Sequence, residues 1–146
     1  MIEEIVVKIE RTEKAKNIPL PSYIREGDAG IDLRSCEDII IKKGERSSVS
    51  TGIKIAIPEG YVGLIKDRSG IAYNSGIHTL AGVIDSNYRG EVKVVLLNTG
   101  EKDFKIRSGE RIAQLLILPI PRVLIVEGEL DETVRGGEGF GSSGTV

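Results

Sequence analysis

Rings are scarce in this 146-residue chain: aromatic residues make up 4%, with no Trp, two Phe and four Tyr. A core built without them is aliphatic, and Ile, Val and Leu fill the apolar runs. Cys36 is the single cysteine. That excludes an intrachain disulfide and fits a reducing compartment, so a cytoplasmic location is expected. His78 is the single histidine, and one His with one Cys does not make a usual zinc site. No apolar run reaches the roughly 20 residues of a membrane span, so no membrane partner is expected. The start, Met1-Ile2-Glu3-Glu4, lacks the basic residues and apolar stretch of a signal peptide. The net charge is only −2. This argues against a strong non-specific nucleic-acid binder and leaves room for one anion in a local basic pocket. Neither a Walker A motif nor a GxGxxG after a strand is present. A single Gln and a single Met, among many Glu, Lys and Ile, form a composition that leans thermophilic.

Glycine, in contrast, is abundant at 18 residues, which points to many tight turns. Short apolar runs alternate with those turns. Ile2–Glu10, Ile31–Ser35, Ile39–Ile41, Tyr61–Ile65, Ile77–Ile84, Phe104–Ile106 and Arg122–Val126 read as strands. In Ser48–Ile57, residues Val49, Thr51, Ile53, Ile55 and Ile57 fall on one face. Glu91–Asn98 is the clearest strand, and Arg111–Leu118 reads as buried on both faces. Only Ser69–Ser75, directly after Arg68, reads as a helix, with Gly76 placed to stop it. The chain is one domain without repeats. Residues 1–134 form its core, and a Gly-rich tail, 135–146, follows in which a packed element is not expected. Many short strands with almost no helix predict an all-β sandwich or barrel.

Several turns carry groups with chemical potential. Arg68-Ser69-Gly70 places a guanidinium, a hydroxyl and helix-start amides together, donors that suit phosphate oxygens. Gly82 to Val92 presents Asp85, Tyr88 and Arg89 in a turn. Asp85 either shapes that turn or serves as a base that orients water. Tyr88 is either a half-buried ring or a platform for a sugar. Gln114, in an apolar strand, is either satisfied by backbone or donates to an anion. Phe140, in Arg135-Gly136-Gly137-Glu138-Gly139-Phe140-Gly141-Ser142-Ser143-Gly144, is positioned to stack on a base if the tail closes as a lid. His78 reads as structural. Asp32 either serves a hydrated Mg²⁺ or pairs with an Arg. Each of these taken alone is also what an ordinary turn or core supplies.

Taken together they are specific. Ala29–Ser35, Asp67–Gly70, Gly82–Val92, Gly109–Leu115 and Arg135–Gly144 stand in the order of the five motifs of the homotrimeric dUTPase family (deoxyuridine 5′-triphosphate nucleotidohydrolases), which this chain resembles over nearly its whole length. The resemblance implies a β-clip, or distorted jelly-roll, subunit and a homotrimer with shared sites. It implies Mg²⁺-dependent hydrolysis of dUTP to dUMP and pyrophosphate by water attack on the α-phosphorus, which keeps uracil out of DNA and supplies dUMP. By that analogy Asp85 orients the water and Tyr88 packs under the deoxyribose. Backbone groups around Thr79, Gly82, Val83, Ile84 and Lys93 read uracil. Arg68, Ser69, Gly70 and Gln114 hold phosphates, and Asp32 supports waters on Mg²⁺. Arg135, Phe140, Gly141, Ser142 and Ser143 close over the nucleotide.

Three positions depart from the family pattern. Asp67 replaces a common Pro and is expected to point away from the phosphates. Asn87 stands where an acid is usual, and Ser143 replaces a usual Thr. Two alternatives share the fold: a bifunctional dCTP deaminase/dUTPase, and a nucleotide-binding regulatory module without turnover. Tyr88-Arg89-Gly90 and the complete tail favour the hydrolase over the first, and Asp85 over the second.

Overall fold

A computed structural model of the chain describes residues 4–146. The alternating runs form ten strands: β1 (Lys8–Arg11), β2 (Ile31–Arg34), β3 (Ile39–Ile41), β4 (Arg46–Ala56), β5 (Tyr61–Lys66), β6 (Ile77–Leu80), β7 (Val83–Ile84), β8 (Glu91–Asn98), β9 (Phe104–Ile106) and β10 (Arg111–Pro119). The one α-helix, α1, spans Ser69–Ser75, as its sequence predicts, and a 3-10 turn covers Glu13–Ala15. Gly76 ends α1 in the left-handed region, φ +70°, and returns its N–H to the carbonyls of Ala72 and Ile71. A residue with a Cβ adopts that conformation only at a cost.

The strands build two four-stranded sheets, ordered β1-β4-β8-β6 and β2-β10-β5-β7, and a two-stranded ribbon of β3 and β9. All pairings are antiparallel. The arrangement is the β-clip form of a distorted jelly roll, with separate sheets rather than one closed barrel. Its core is aliphatic, as the scarcity of rings requires. Leu33, Val49, Ile55, Ile65, Val94, Leu96, Ile112 and Leu115 are buried together between the sheets. Each such side chain contributes about 1.5–3 kcal/mol on burial.

The alternating face of β4 is buried as expected at Val49, Thr51, Ile53 and Ile55. Ser50 and Gly52, from the opposite face, are also buried because the pairing with β8 shifts register between Ser50 and Lys54. Gly52 sits in this bulge at φ +68°, where a Cβ would lie 2.5 Å from that of Ala15. The Glu91 carboxylate satisfies the bulge, accepting from Gly52 N–H at 2.9 Å and from the Ser50 hydroxyl.

Four strand expectations change. The first strand begins at Lys8, not Ile2: residues 4–7 have no ladder partner, and Ile2 and Glu3 lie outside the described residues. Ile77–Ile84 is not one strand, because Ala81 (φ +58°) and Gly82 (φ +103°) break it into β6 and β7. Arg122–Val126 forms no strand. The chain's last bond to the body is Ile120 N–H to the Gly60 carbonyl, and beyond it the apolar run finds no sheet edge. β10 is buried at Ile112, Ala113 and Leu115 and only partly at Arg111, Gln114, Leu116 and Ile117, while Leu118 and Pro119 emerge into solvent.

Asn98 is fully buried at the end of β8. Its side-chain amide donates to the carbonyls of Ile41 and Lys102 at 2.9 and 2.8 Å and accepts from Gly100 N–H at 2.9 Å. This one side chain ties β8 to the β3 end and to the following turn. Asn98→Ala strands one buried backbone group, the Ile41 carbonyl, and two part-buried ones, and is expected to cost about 2–4 kcal/mol, measured by urea unfolding. A loss below ~1 kcal/mol contradicts this account.

Candidate functional site

The residues singled out from the sequence fall into three places. The first is the turn after β7. Ala81 and Gly82 turn the chain out of one sheet and into the other, and Gly82 accepts the Ile65 N–H at 2.8 Å. β7 then pairs with β5 and delivers Asp85 to the surface. A cavity of about 460 Å³ opens there, lined by Gly82, Val83, Ile84, Asp85, Tyr88 and Lys93, with Ile65, Ala81, Glu91 and Val92. The Tyr88 hydroxyl donates to the Glu91 carbonyl at 2.8 Å, which holds the ring over Gly90. A Cβ on Gly90 would lie 2.5 Å from the phenol oxygen, so glycine is required for this ring position. Asp85 is exposed, and among the described residues no donor pairs with its carboxylate. It also borders a larger cavity, about 1150 Å³, between the β4–β5 turn and Ile120–Val123.

The second place is the junction of β2, β10 and the β5–α1 turn. Register sets Gln114 between Asp32 on β2 and Lys66 on β5. Asp32 is mostly buried and takes two cations, Arg68 Nε at 3.3 Å and Arg111 Nε at 3.4 Å. Of the two readings of Asp32, pairing with an arginine is therefore realised. The Gln114 amide donates to the Asp67 carbonyl at 2.8 Å and lies against Gly30, where any Cβ would collide with it. Its backbone-satisfied reading is thus also realised. Ser69 and Gly70 are exposed at the start of α1, ahead of its first intrahelical bond, Ala72 N–H to Arg68 O. Their amides have no partner within the helix.

Asp67 turns toward β6. Its carboxylate accepts from Thr79 N–H and the Thr79 hydroxyl, both at 2.6 Å, and sits 2.6 Å from His78 Nδ1. Both Thr79 donors are committed there, and the hairpin cavity begins instead at Ala81. Thr79 is thus placed apart from the groups expected to read a base. His78 has the structural part expected of it. Burial raises the Asp67 carboxyl pKa, but the Thr79 and His78 hydrogen bonds outweigh it and hold the group below the ordinary 3.8.

The third place is the tail. Arg135 Nε donates to the Glu138 carbonyl at 2.8 Å, and the other tail bonds stay local, such as Gly144 N–H to Gly141 O. Phe140, Gly141, Ser142 and Ser143 are exposed. The structure does not bring them to either cavity.

Two residues in these networks escaped the sequence reading. Arg111 meets Asp32 only through the β2–β10 register. Glu91 serves the β4 bulge, whose one sequence signal was Gly52 inside an alternating strand.

No group of three or more His, Cys, Asp or Glu side chains that could hold a metal occurs among the described residues. A divalent ion here would depend on phosphate oxygens and water, the common arrangement for Mg²⁺. Asp32 fits an outer role toward such an ion, since each of its oxygens keeps a lone pair after meeting one arginine.

Fold and site together define a β-clip protein that carries an unpaired acid beside a ring-lined hairpin cavity and, elsewhere, an arginine-bearing helix start. Comparison with known proteins gives the family. The dUTPase family model matches residues 16–144. The deoxyuridine 5′-triphosphate nucleotidohydrolase of Zymomonas mobilis subsp. mobilis is 44% identical over 144 residues, which are 97% of this chain and 99% of that one. The enzyme of the same name from Paramecium bursaria Chlorella virus 1 is 54% identical over 121 residues, 82% of this chain and 85% of that one. The solved dUTPase of Staphylococcus bacteriophage 80alpha, with dUPNHPP, aligns at a TM-score of 0.85 and 30% identity, covering 96% of this chain and 99% of that one. The chain belongs to the dUTPase family.

The lowered Asp67 pKa sets a pH dependence. A carboxyl whose folded pKa lies below its unfolded value adds stability that is present above the unfolded pKa. That stability is lost as pH falls through the folded pKa. The urea midpoint of Asp67→Asn is therefore expected below wild type at pH 7, with the gap closing as pH falls below the ordinary 3.8. A gap that is unchanged at low pH contradicts the assignment.

Proposed function

We propose that this chain hydrolyses dUTP to dUMP and pyrophosphate, with Asp85 as the general base. The observation that carries the reading is the unpaired Asp85 carboxylate at the edge of a cavity of nucleoside size, next to the Tyr88 ring. The other two acids at these places, Asp32 and Asp67, are occupied by arginines or by hydrogen bonds. An acid without such partners is ready to orient a water. Family membership supplies the substrate class.

In this reading uracil enters the hairpin cavity and meets backbone groups of Gly82, Val83, Ile84 and Lys93. Cytosine presents the reversed donor pattern and leaves those groups unpaired, which a polar site penalises heavily. Tyr88 lies against the deoxyribose, where a 2′-hydroxyl meets the ring. Asp85 accepts a proton from water as the water oxygen bonds to the α-phosphorus. The bond from that phosphorus to the bridging oxygen breaks, and pyrophosphate leaves. Arg68, the Ser69 and Gly70 amides and the second Gln114 N–H hold the phosphates. Asp32 would support, through water, an Mg²⁺ bound with the substrate, and that ion would neutralise phosphate charge.

We place these groups in a site shared between copies of the chain. The cavity beside Asp85 includes neither Arg68 nor Gln114 in its lining, so one copy offers two half-sites that face different partners. Val123, Leu124, Ile125, Val126 and Leu130 are exposed, at 74–93% of their full area. An apolar arm of this kind gains from burial against another copy. A homotrimer in the cytoplasm is the reading we adopt, with residues 135–146 as the lid and Phe140 over the base. A mobile lid excludes bulk water and completes the phosphate grip.

With Mg²⁺ and dUTP the protein is expected to release pyrophosphate; none released sinks the hydrolase, and ammonia from dCTP would instead reveal a deaminase. Asp85→Asn is expected to lower kcat by at least about 10³-fold while dUTP still binds, read by calorimetry. Removal of residues 135–146 is expected to lower kcat/KM by about 10²-fold with an unchanged unfolding midpoint. An unaltered rate rules the lid out. Light scattering is expected to give three times the 15.8 kDa of one chain, and a monomer at working concentration contradicts the shared site.

A further inference from the structure

Asp67 immediately follows β5 and precedes Arg68, and it is fastened on two sides. Its carboxylate takes Thr79 N–H, the Thr79 hydroxyl and His78 Nδ1, each at 2.6 Å, from β6. Its carbonyl takes Gln114 Nε2 from β10 at 2.8 Å. β6 belongs to one four-stranded sheet and β10 to the other. The residue therefore pins the two sheets together at the point where the chain leaves β5 for α1.

The turn that follows is otherwise held by the Arg68 ion pair to Asp32 at 3.3 Å and by Ile71 packed against the core. α1 has no side-chain cap, no acid in its first turn and no buried residue. Ser69 and Gly70 are exposed, and a Cβ on Gly70 would meet nothing within 4 Å. Arg68 is extended, φ −88° and ψ 124°; the way its backbone leaves β5 depends on how Asp67 is held, while Asp32 holds its guanidinium. Where the family pattern has proline, a ring restrains the backbone. Asp67 has no ring and holds the same turn by charge-assisted hydrogen bonds, which are short and directional.

We propose that Asp67 is a positioning residue for the Arg68-Ser69-Gly70 turn and that His78 is its accessory partner. The proposal rests on the dUTP reading above. The carboxylate is spent on β6 and not on the substrate. Its effect reaches the nucleotide only through the turn, and so only through the phosphates that the turn grips. The monophosphate product lacks the two outer phosphates, so it offers the turn fewer oxygens to grip and is less sensitive to the turn's placement.

The test compares dUTP turnover with inhibition by dUMP for wild type, Asp67→Ala, His78→Ala and His78→Asn. Asp67→Ala is expected to raise KM for dUTP about tenfold, with kcat within about threefold and the dUMP inhibition constant within twofold. His78→Ala is expected to raise KM about threefold, and His78→Asn, which keeps a donor near the Nδ1 position, to restore it. Because His78 is exposed, this pair reads the clamp even if Asp67→Ala fails to fold. Wild-type turnover with unmoved KM values in Asp67→Ala and His78→Ala overturns the positioning role alone. Equal losses for dUTP and dUMP also overturn it, since they mark general damage. A wild type that releases no pyrophosphate overturns the dUTP reading and this proposal with it.

Discussion

At Ala81 and Gly82 the backbone enters the left-handed region, φ +58° and +103°, and there the chain passes from one sheet to the other. Only a residue without a Cβ fits the second position, because a Cβ would lie 2.8 Å from the Ile65 carbonyl oxygen. The same step brings the Gly82 carbonyl to the Ile65 N–H and closes β7 onto β5. Much else follows from it. The hairpin cavity exists because β7 leaves the line of β6, and Asp85 reaches the surface because β7 ends two residues later. The Tyr88 ring can return over Gly90 because the turn is already set. A continuous strand from Ile77 to Ile84 would carry none of this.

The acids around the candidate site divide by what faces them. Asp32 meets two arginines, Asp67 meets two residues of β6, and Glu91 serves the bulge of β4. Each spends its charge on architecture. Asp85 is different: no donor among the described residues takes it, although it lies in a chain rich in Lys and Arg. Burying a carboxylate costs desolvation that its partners offset, and removing a partner leaves that charge uncompensated. Hence, of the acids around these places, the paired ones are fixed features and Asp85 is open to water. The basic groups follow the same logic: Arg68 and Arg111 are held at Asp32, so their direction is set before any phosphate arrives.

Much of the fold was legible in the sequence. The β4 alternation, the eight-residue β8 and the single helix closed by Gly76 depend on neighbours in the chain, and local periodicity and glycine chemistry report such neighbours directly. Arg122–Val126 shows where that reasoning stops. Its β-branched and leucine content reads as a strand, but a strand needs an edge to pair with, and this chain offers none there. The site was legible as types of residue, less so as contacts. Asp85, Tyr88 and Arg68 stand out by their place in glycine-bounded turns. Arg111 and Glu91 do not, since their partners, Asp32 and Gly52, are far away in the chain.

The sequence by itself determined the all-β class, the aliphatic core, the single short helix and the ordered motifs that mark the dUTPase family, because each depends on composition or on residues close in the chain. Tertiary structure alone decided which acids are free and which are spent. It showed that the Asp67 side chain turns to His78 and Thr79, that the Gln114 amide is anchored on the Asp67 carbonyl, and that the Asp85 cavity and the Arg68 turn lie apart within one copy. The physical reason is common to all three. A polar side chain has several donors or acceptors within reach, and which strand distant in sequence lies beside it, which local periodicity does not report, selects among them.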